Sequence, residues 1–377
     1  MEFSKEKLNV LAFYLPQYHA IPENDKAYGK GFTEWTNVKK STPLFEGHRQ
    51  LRVPLNNNYY DLLDGKTLKN QAELAKSYGV SGFCYYHYYF GGGKKLLEKP
   101  LEAMLKDKSI DMPFCICWAN ENWTRRWDGG NNEVIAEQHY DRFDEIDEHA
   151  RYLAEFFKDE RYITLEGKPF FVLYRPGLIP HVAKYIKEMR RCFAKYGFPE
   201  VVIAVQQPFY YLKRRKLNLF DYYIQYEPSF TIASEFTKPD RLKDTVKAIA
   251  RKLHLGKIFE NRINKQYQEK SLTIRDYDED WQTILSRKIN DKRLLAGGFV
   301  DFDNSPRLKK GMVYKGNTPE KFDKYFGELC EKTKNEFSLP IIFLMAWNEW
   351  GEGAYLEGDT DYGLSYLESI KKYVAKN

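Results

Sequence analysis

Two glutamates three positions apart, Glu349 and Glu352, are the side chains of this sequence best suited to acid–base chemistry. They lie in the motif Trp347-Asn-Glu-Trp-Gly-Glu-Gly353, directly after the apolar run 340–346. Cleaving or forming a glycosidic bond passes through an oxocarbenium-like state, in which one group moves the proton at the bridging oxygen and another stabilises the anomeric centre. The two carboxylates face one pocket if the turn that carries them is helical. Alternatively, one of them caps a helix or pairs with an arginine.

The composition agrees with a sugar ligand. Aromatic residues make up 16% of the chain, with 29 Tyr, 25 Phe and 7 Trp. Flat amphipathic rings pack well on the apolar faces of sugars. The formal net charge of +6 comes from 59 basic and 53 acidic residues that are interspersed, which argues against a nucleic-acid partner.

Eight short apolar or aromatic runs, each followed by polar or glycine-rich residues, are the elements that would position the glutamates. Near-continuous apolarity is typical of strands that are covered on both faces. Helix-like patterning fills most of the intervals, and eight parallel strands close a barrel. We therefore predict an α/β fold, with one (β/α)8 TIM-type catalytic domain over residues 1–377. The runs are 8–18, 80–90, 113–119, 168–175, 200–207, 219–227, 294–301 and 340–347.

The interval before the seventh strand is longer than the others. Residues 230–293 have helical patterning and many lysines and arginines, chiefly in 241–257 and 262–270. This pattern predicts a basic helical insertion on the barrel rim, or else only solvated helix faces. An insertion of this charge would suit peripheral contact with anionic lipid or with a lipid-linked diphosphate.

The carboxyl ends of barrel strands meet at one mouth, so polar residues that follow the runs become neighbours there. The loop 29–35 could carry two candidates over the pocket, and the two histidines beside tyrosines have either a binding or a structural role. The candidate substrate-binding residues are Tyr18, His19, Glu34, Trp35, Tyr86, His87, Asn120, Glu121, Trp123, Tyr174, Arg175, Gln206, Glu227, Asp301, Asp303, Trp347, Asn348 and Trp350.

Metal and cofactor signals are weak. Asp301 and Asp303 form an Asp-x-Asp pair, which can hold a divalent metal against a nucleotide diphosphate, but the pair could instead bind substrate hydroxyls or Arg307. Gly91–Gly93 lacks the context of a dinucleotide or phosphate-binding loop. The five cysteines have no C-x-x-C spacing and indicate reduced core residues. We expect no metal and no other cofactor.

The targeting signals favour a cytoplasmic protein. Residues 1–7 have no apolar signal core, and no run reaches the roughly 18 apolar residues of a membrane span. The basic insertion would place such a protein at the inner membrane as a peripheral component.

Five motifs follow one another along the chain: Ala12-Phe-Tyr-Leu-Pro-Gln-Tyr-His19, Gly31-Phe-Thr-Glu-Trp-Thr-Asn-Val38, Phe83-Cys-Tyr-Tyr-His-Tyr-Tyr89, Trp118-Ala-Asn-Glu-Asn-Trp123 and Trp347-Asn-Glu-Trp-Gly-Glu-Gly353. Taken together and in this order, they resemble the WbsX family, which is named as glycosyltransferases of O-antigen and capsule synthesis. That family is in turn similar to glycoside hydrolase family 99, the endo-α-mannanase and endomannosidase group with (β/α)8 barrels.

The resemblance also implies roles for the two glutamates. In the hydrolase family the Asn-Glu-Trp-x-Glu-Gly motif carries both catalytic carboxylates, which correspond here to Glu349 and Glu352. Glu349 would be the base that deprotonates the sugar 2-hydroxyl, giving an epoxide-like intermediate. Glu352 would be the general acid/base at the bridging oxygen, and the reaction would proceed with retention.

The direction of the reaction depends on whether water or a sugar hydroxyl is the acceptor. Our leading interpretation is glycosyl transfer in the assembly of a cell-surface polysaccharide, on an oligosaccharide or polysaccharide that could be lipid-linked. A retaining endo-glycosidase with the same site is one alternative. A non-catalytic carbohydrate-binding protein is the other.

Overall fold

The eight predicted runs become eight parallel strands that close into a barrel in the computed structural model. Residues 2–3, 6–125, 133–140, 142–206, 219–236, 272–308 and 310–374 are described. The strands are β1 (Asn9–Tyr14), β2 (Gly82–Gly91), β3 (Phe114–Trp118), β4 (Lys168–Leu173), β5 (Val202–Val205), β6 (Tyr222–Ile224), β7 (Leu294–Phe299) and β8 (Ile341–Met345).

The barrel closes because β1 pairs with both β2 and β8. Leu11 lies opposite Gly82 on one side and opposite Phe343 on the other. Each of the other barrel strands is bonded in parallel to its two neighbours, in the spatial order of the sequence. The predicted (β/α)8 fold is thus confirmed.

Ten described α-helices accompany the strands, most of them in the loops between consecutive strands, as the barrel requires. Several begin at a side-chain cap, where the Asp64, Asp276 or Thr318 oxygen accepts a hydrogen bond from a first-turn N–H group. The helices are α1 (Pro22–Tyr28), α2 (Glu34–Lys40), α3 (Gly65–Ser77), α4 (Lys99–Lys106), α5 (Phe143–Phe157), α6 (Val182–Lys195), α7 (Ser229–Phe236), α8 (Tyr277–Ser286), α9 (Pro319–Glu336) and α10 (Ser365–Val374).

The predicted basic insertion is described only at its ends. Helix α7 and helix α8 belong to it, together with the strand Thr273–Asp276, which pairs in parallel with Met312–Lys315. Residues 237–271, which include both basic stretches, lie outside the described residues. Membrane contact through this insertion therefore stays a prediction.

Short elements decorate the mouth and the base of the barrel. Lys94–Leu96 pairs with the end of β2, and Thr164–Leu165 pairs with the start of β4. Two small hairpins lie in the loops after β3 and β8: Trp123–Thr124 with Val134–Ala136, and Asn348–Glu349 with Ala354–Tyr355. The described residues include 3₁₀ turns at Leu55–Asn57, Pro176–Leu178 and Trp350–Glu352.

Aromatic rings fill the barrel interior. Phe343 of β8 packs against Phe13 of β1 at 5.6 Å and against Phe170 of β4 at 6.1 Å between ring centroids. All five cysteines are free and buried. Among the described residues, no helix combines the length and the apolar character needed to cross a membrane.

Candidate active site

The two glutamates predicted to be catalytic lie on one tight turn at the carboxyl end of β8. Glu349 ends the first strand of the short hairpin there, and Glu352 ends the 3₁₀ turn Trp350–Glu352. Because this turn is helical, the two side chains point to the same side, and both line a cavity of about 400 Å³. Glu349 is 8% exposed and Glu352 is 24% exposed, so Glu352 lies nearer to the opening.

Gly351 allows a third carboxylate to approach this turn from below. A β-carbon at Gly351 would lie 1.5 Å from Glu34 Oε1. Glu34, in the first turn of α2, is fully buried. It could not keep this position if any residue other than glycine stood at position 351. Gly353 closes the turn with a left-handed backbone (φ 60°), which glycine adopts without strain.

A network of hydrogen bonds holds the turn against the end of β1. The Asn348 side chain accepts from the Leu15 N–H at 2.7 Å and donates to the Leu15 carbonyl at 3.0 Å. The Tyr18 hydroxyl donates to the Asn348 carbonyl and accepts from the Trp350 N–H. These contacts bring the first and last motifs of the sequence together.

The Trp350 indole anchors the turn on its other side. It stacks on Tyr355 at 3.7 Å between ring centroids and packs against Trp35 at 5.4 Å. Its Nε1–H donates to Glu357 at 2.7 Å, and Glu357 also accepts from Tyr60. Burial raises the pKa of Glu357 to about 7, although these hydrogen bonds hold it below the value that burial alone would give.

Arg307 joins all three carboxylates. Its Nε–H donates to Glu34 Oε1 at 2.8 Å and its Nη2–H donates to Glu349 Oε2 at 2.8 Å. Its Nη1–H donates to Glu352 Oε1. The guanidinium lies in the loop after β7, is only 10% exposed, and itself lines the cavity. Glu349 and Glu352 are therefore paired with an arginine and also face the cavity. The spacing had left these two arrangements as alternatives, and here they occur together.

The electrostatics of the cluster favour protonation of Glu349. Burial raises the pKa of Glu349 above its usual range, Arg307 opposes this rise, and the charges of Glu352 and Glu34 add to it. Burial likewise raises the pKa of Glu34 against the opposing charge of Arg307. A single guanidinium thus faces three carboxylates, which leaves the cluster with excess negative charge when all three are ionised.

Tyrosines form the wall opposite the glutamates. The Gln206 amide donates to the Tyr86 hydroxyl at 2.8 Å, and this hydroxyl donates to the Tyr226 hydroxyl at 3.2 Å. Arg175 pairs with Glu121 at the rim, and its guanidinium lies 4.9 Å from the ring centre of Tyr174. The lining residues are Leu15, Tyr86, Tyr88, Ala119, Glu121, Tyr174, Arg175, Tyr226, Asn304, Arg307, Leu308, Glu349 and Glu352.

The structure brings six of the residues predicted from the sequence into this lining: Tyr86, Glu121, Tyr174, Arg175, Glu349 and Glu352. Others support lining residues. The Asn120 side chain accepts from the Arg175 N–H at 2.7 Å and donates to the Arg175 carbonyl, which fixes the backbone of that arginine. Tyr18, Glu34, Gln206, Asn348 and Trp350 act in the same supporting way through the contacts above.

The remaining candidates lie away from the cavity lining. The His87 Nε2 lies 3.1 Å from His149 Nε2 on the helix side of β2. Glu227 pairs with Arg287 at 2.7 Å. The Trp35 indole donates to the Tyr60 carbonyl, and Trp347 packs against the ring of Phe83. His19 is buried, and Trp123 lines a neighbouring cavity.

Asp301 and Asp303 belong to an ion-pair network next to the site. Arg52 Nη1 lies 3.0 Å from Asp301 Oδ2, and its Nη2 lies 3.6 Å from Asp303 Oδ2. Burial acts to raise the pKa of Asp303, but the His48 hydrogen bond and the Arg52 charge lower it to about 2. Burial raises the pKa of Asp301. Among the described residues, no group of three or more His, Cys, Asp or Glu side chains is placed to hold a metal ion.

Seven lining residues lie outside the list of candidate catalytic and substrate-binding residues: the polar Tyr88, Tyr226, Asn304 and Arg307, and the apolar Leu15, Ala119 and Leu308. Strand alternation could have found the first, because Tyr86 and Tyr88 share one face of β2 and His87 the other. Tyr226 precedes Glu227 at the end of β6 by a single position. No local pattern points to Arg307, because a long loop brings it back to the mouth.

Comparison with known proteins decides the family. Residues 10–370 match the family model described as Glycosyltransferase WbsX. The protein belongs to this family. Two relatives are each 33% identical to this chain over 370 residues. Both are described as Uncharacterized protein WxcX, one from each of two strains of Xanthomonas campestris pv. campestris. The match covers 97% of this chain and 50% of each relative, so the chain spans about half their length. The resemblance predicted from the motifs is confirmed.

Solved structures share the fold of this WbsX-family protein. A glycoside hydrolase-like protein superposes with a TM-score of 0.54 at 13% identity, covering 98% of this chain and 94% of the other. The endo-α-mannosidase of glycoside hydrolase family 99 from Bacteroides thetaiotaomicron superposes with a TM-score of 0.52 at 11% identity, covering 98% and 97%. At this level of identity the similarity concerns the fold. The family itself is described as one of glycosyltransferases.

Proposed function

We propose that this protein transfers glycosyl units with retention, using Glu349 and Glu352, during assembly of a cell-surface polysaccharide or its lipid-linked precursor. The observation that carries the proposal is the placement of both glutamates in one buried cavity at the carboxyl ends of the strands. Active sites of (β/α)8 enzymes lie at this end of the barrel. We also propose that residues 1–377 form one catalytic domain, into which 230–293 is inserted.

Glu349 suits the role of base. Its carboxylate is the more buried of the two, and burial raises its pKa. A carboxylate with a raised pKa accepts a proton more readily near neutral pH. Arg307 keeps a positive charge beside it, so a fraction of the group stays ionised and able to act.

Glu352 suits the role of general acid and base at the exchanged oxygen. Its side chain is three times as exposed as that of Glu349, at 24% against 8%, so a leaving group or an incoming acceptor reaches it first. A group that protonates a departing sugar and then deprotonates its replacement must contact both, which places it at the open side of the cavity.

The two roles give a balanced reaction in two steps. In the first, Glu349 takes the proton of the sugar 2-hydroxyl, the 2-oxygen bonds to the anomeric carbon, and the bond to the bridging oxygen breaks as Glu352 protonates that oxygen. In the second, Glu352 takes the proton of an acceptor hydroxyl, and the acceptor oxygen bonds to the anomeric carbon as the bond between that carbon and the 2-oxygen breaks. The released 2-oxygen recovers its proton from Glu349. Two inversions at one carbon give net retention.

A retaining endo-glycosidase is the second candidate, and the barrel shared with an endo-α-mannosidase favours it. The same site performs either reaction, because only the acceptor differs. The family description favours transfer. Access of water to the intermediate decides between the two outcomes.

The test compares wild type with Glu349→Gln and Glu352→Gln. Each protein is incubated with purified surface polysaccharide and with lipid-linked oligosaccharide of the producing organism, with and without nucleotide sugars, and products are followed by mass spectrometry. We expect each variant to lose at least about 100-fold in rate, because general acid–base catalysis contributes roughly 10²–10⁴-fold. Glu155→Gln, an exposed change on α5, is the matched control and retains activity.

Three outcomes are distinct. Donor-dependent lengthening that both variants lose supports transfer through this site. Shortening without any donor, lost in both variants, supports the endo-glycosidase. Equal glycan binding by wild type and variants, with no product from either, contradicts both enzymes and supports a carbohydrate-binding protein.

A further inference from the structure

Glu357 is a buried carboxylate that the proposed reaction does not use. It lies shortly after the small hairpin that carries Glu349, and it is 8% exposed. Its Oε2 accepts from the Trp350 Nε1–H at 2.7 Å and from the Tyr60 hydroxyl at 2.8 Å. Its Oε1 accepts from the Gln71 Nε2–H at 2.7 Å. Neutral donors from three parts of the chain therefore satisfy both of its oxygens.

The bonds of Glu357 lead to the two residues that flank Glu349 in the chain. Trp350 follows Glu349 and donates to Glu357 directly. Asn348 precedes Glu349, and its Nδ2–H donates to the Tyr60 hydroxyl at 3.4 Å. This hydroxyl has a single proton, which it donates to Glu357. Both neighbours of Glu349 are therefore bonded to Glu357, one directly and one through Tyr60.

The hold of Glu357 on the turn depends on its charge. The indole of Trp350 and the amide nitrogen of Gln71 only donate hydrogen bonds, so they match an ionised carboxylate, which only accepts. A proton on either oxygen would face one of these donors. Hydrogen bonds to an ionised carboxylate are also roughly twice as strong as those between neutral groups. Protonation of Glu357 therefore weakens the contacts that hold the turn.

Glu357 is the group of its surroundings that changes charge near neutral pH. The titratable groups that face it among the described residues are Tyr14 of β1, Tyr18 in the loop after β1, and Tyr60 before α3. Burial raises the pKa of all three tyrosines well above their usual range, so they stay neutral. The charges of Glu34 and Glu349 act on Tyr18 in the same direction. Burial raises the pKa of Glu357 itself to about 7.

A cavity of about 480 Å³ gives Glu357 a route to solvent. Glu357 and Trp350 line it together with the exposed Asn56 and Asn57. Among the described residues, none lines both this cavity and the cavity of Glu349. Glu357 thus lines no part of the substrate cavity and can act on the reaction only through the turn.

We propose that Glu357 is a positioning residue for Glu349. Its ionised carboxylate holds Trp350 and, through Tyr60, Asn348, and so keeps Glu349 in the geometry in which it takes the proton of the sugar 2-hydroxyl. Protonation of Glu357 loosens the turn and lowers the rate. This inference rests on the proposed function for the role of Glu349, whereas the hold on the turn does not.

The first measurement follows the Trp350 indole by NMR and needs no turnover. The seven tryptophans are labelled with ¹⁵N, and the Trp350 Nε1–H signal is assigned by its loss in Trp350→Phe. The Glu349→Gln background removes the titration of Glu349 itself. We expect the signal to move as pH passes through about 7, and to stop moving when Glu357→Gln is added. A Trp350 signal that does not titrate, or that titrates equally without Glu357, overturns the proposal.

The second measurement separates positioning from stability, with the substrate that wild type turns over. Glu357→Gln keeps the size of the side chain and cannot ionise. The matched control, Asp159→Asn, removes an equally buried carboxylate that pairs with Arg161 between α5 and β4, at the base of the barrel. Both variants should lose stability.

We expect Glu357→Gln to lower kcat roughly 100-fold with little change in KM, because about 1 Å of misplacement in a site has this effect and the substrate does not touch Glu357. Asp159→Asn should keep the kcat of wild type. A Glu357→Gln protein with the kcat of wild type overturns the positioning role, as does an equal loss of kcat in the control.

Failure of this inference differs from failure of the proposed function. A Trp350 titration that depends on Glu357, in a protein without turnover, keeps the hold on the turn and contradicts the function. Turnover that needs Glu349 but not Glu357 keeps the function and contradicts the positioning role.

Discussion

Arg307 is the residue on which the charge of the site depends. It donates to Glu34, Glu349 and Glu352, and these three groups compete for one positive charge. Breaking such a buried cluster by removing one partner leaves the others unpaired, which is why the members cannot be treated as independent. The pH dependence of the proposed reaction follows from this competition.

Replacement of Glu34 by glutamine tests the electrostatic coupling. The Glu34 charge contributes to the raised pKa of Glu349, together with burial and the Glu352 charge, so Glu34→Gln lowers that pKa. Glu349 must be ionised to act as base, and ionisation then persists to lower pH. We expect the acid limb of the kcat/KM profile to move to lower pH, while Glu155→Gln leaves it in place. An acid limb that moves to higher pH contradicts the assignment of Glu349 as base.

The residue types of the site were predictable from the sequence, but their orientations were only partly so. The carboxylate pair stood out because both members follow one strand. His87 and Glu227 were selected for their chemistry, yet the pleat of β2 and the end of β6 turn Tyr88 and Tyr226 to the cavity instead. Arg307 could not be found, because its position depends on how a loop folds back over the mouth.

The turn after β8 is the element that brings Glu349 and Glu352 into the same cavity. Gly351 lies within this turn, between Glu349 and Glu352. Its backbone is contacted by the Glu34 carboxylate, which occupies the space of a β-carbon. The turn and helix α2 therefore have to be placed together.

A single methyl group at position 351 would push the turn after β8 away from helix α2. The added carbon would lie 1.5 Å from Glu34 Oε1 and 2.9 Å from Arg307 Nε, so the ion pairs must shift. We expect Gly351→Ala to lower kcat/KM roughly 100-fold, the effect of about 1 Å of misplacement in a site. Gly65→Ala at the start of α3, where nothing lies within 4 Å of the new carbon, is the control. Equal kinetics of both variants would show that the contact is not needed.

Regular elements were the part of the fold that patterning predicted well. Apolar runs located all eight barrel strands because these are covered on both faces, and the intervals with helix-like patterning hold helices such as α5. The two-residue hairpins and the 3₁₀ turns left no such signal. Their backbone is fixed by tertiary contacts, such as those from Asn348 to Leu15, which a local pattern does not contain.

Arg52 connects distant parts of the chain at the mouth of the molecule. From the segment between α2 and α3 it donates to the Gly353 carbonyl at 2.8 Å and pairs with Asp301 and Asp303 after β7. Three loops that belong to different strands are thereby held in one arrangement. The barrel supplies the scaffold, and the contacts of Arg52 fix the positions of the loops relative to it.

Loss of Arg52 should destabilise the whole molecule. Arg52→Met leaves two buried aspartates without their cation, and breaking a buried pair in this way costs about 3–5 kcal/mol of unfolding free energy. Asp303 has a pKa lowered to about 2 in the fold, so its stabilising contribution is present above the unfolded value and is lost as pH falls towards 2. The deficit of the variant should therefore shrink at acidic pH, as measured by urea unfolding.

The matched control for this change is Lys158→Met, which removes one partner of an exposed ion pair with Glu155. Surface changes of this kind usually stay within about 0.5 kcal/mol. An Arg52→Met protein as stable as the control at neutral pH would mean that the loops do not depend on the network.

A guanidinium that already bridges the two glutamates has a consequence for inhibitors. Protonated amine mimics of a glycosyl cation gain affinity by meeting ionised carboxylates that no other cation occupies. In this cavity Arg307 holds that position, so a basic mimic must share or displace it, whereas an uncharged ring that copies the shape of the intermediate need not. Neutral sugar mimics are therefore the better starting compounds for blocking the proposed reaction.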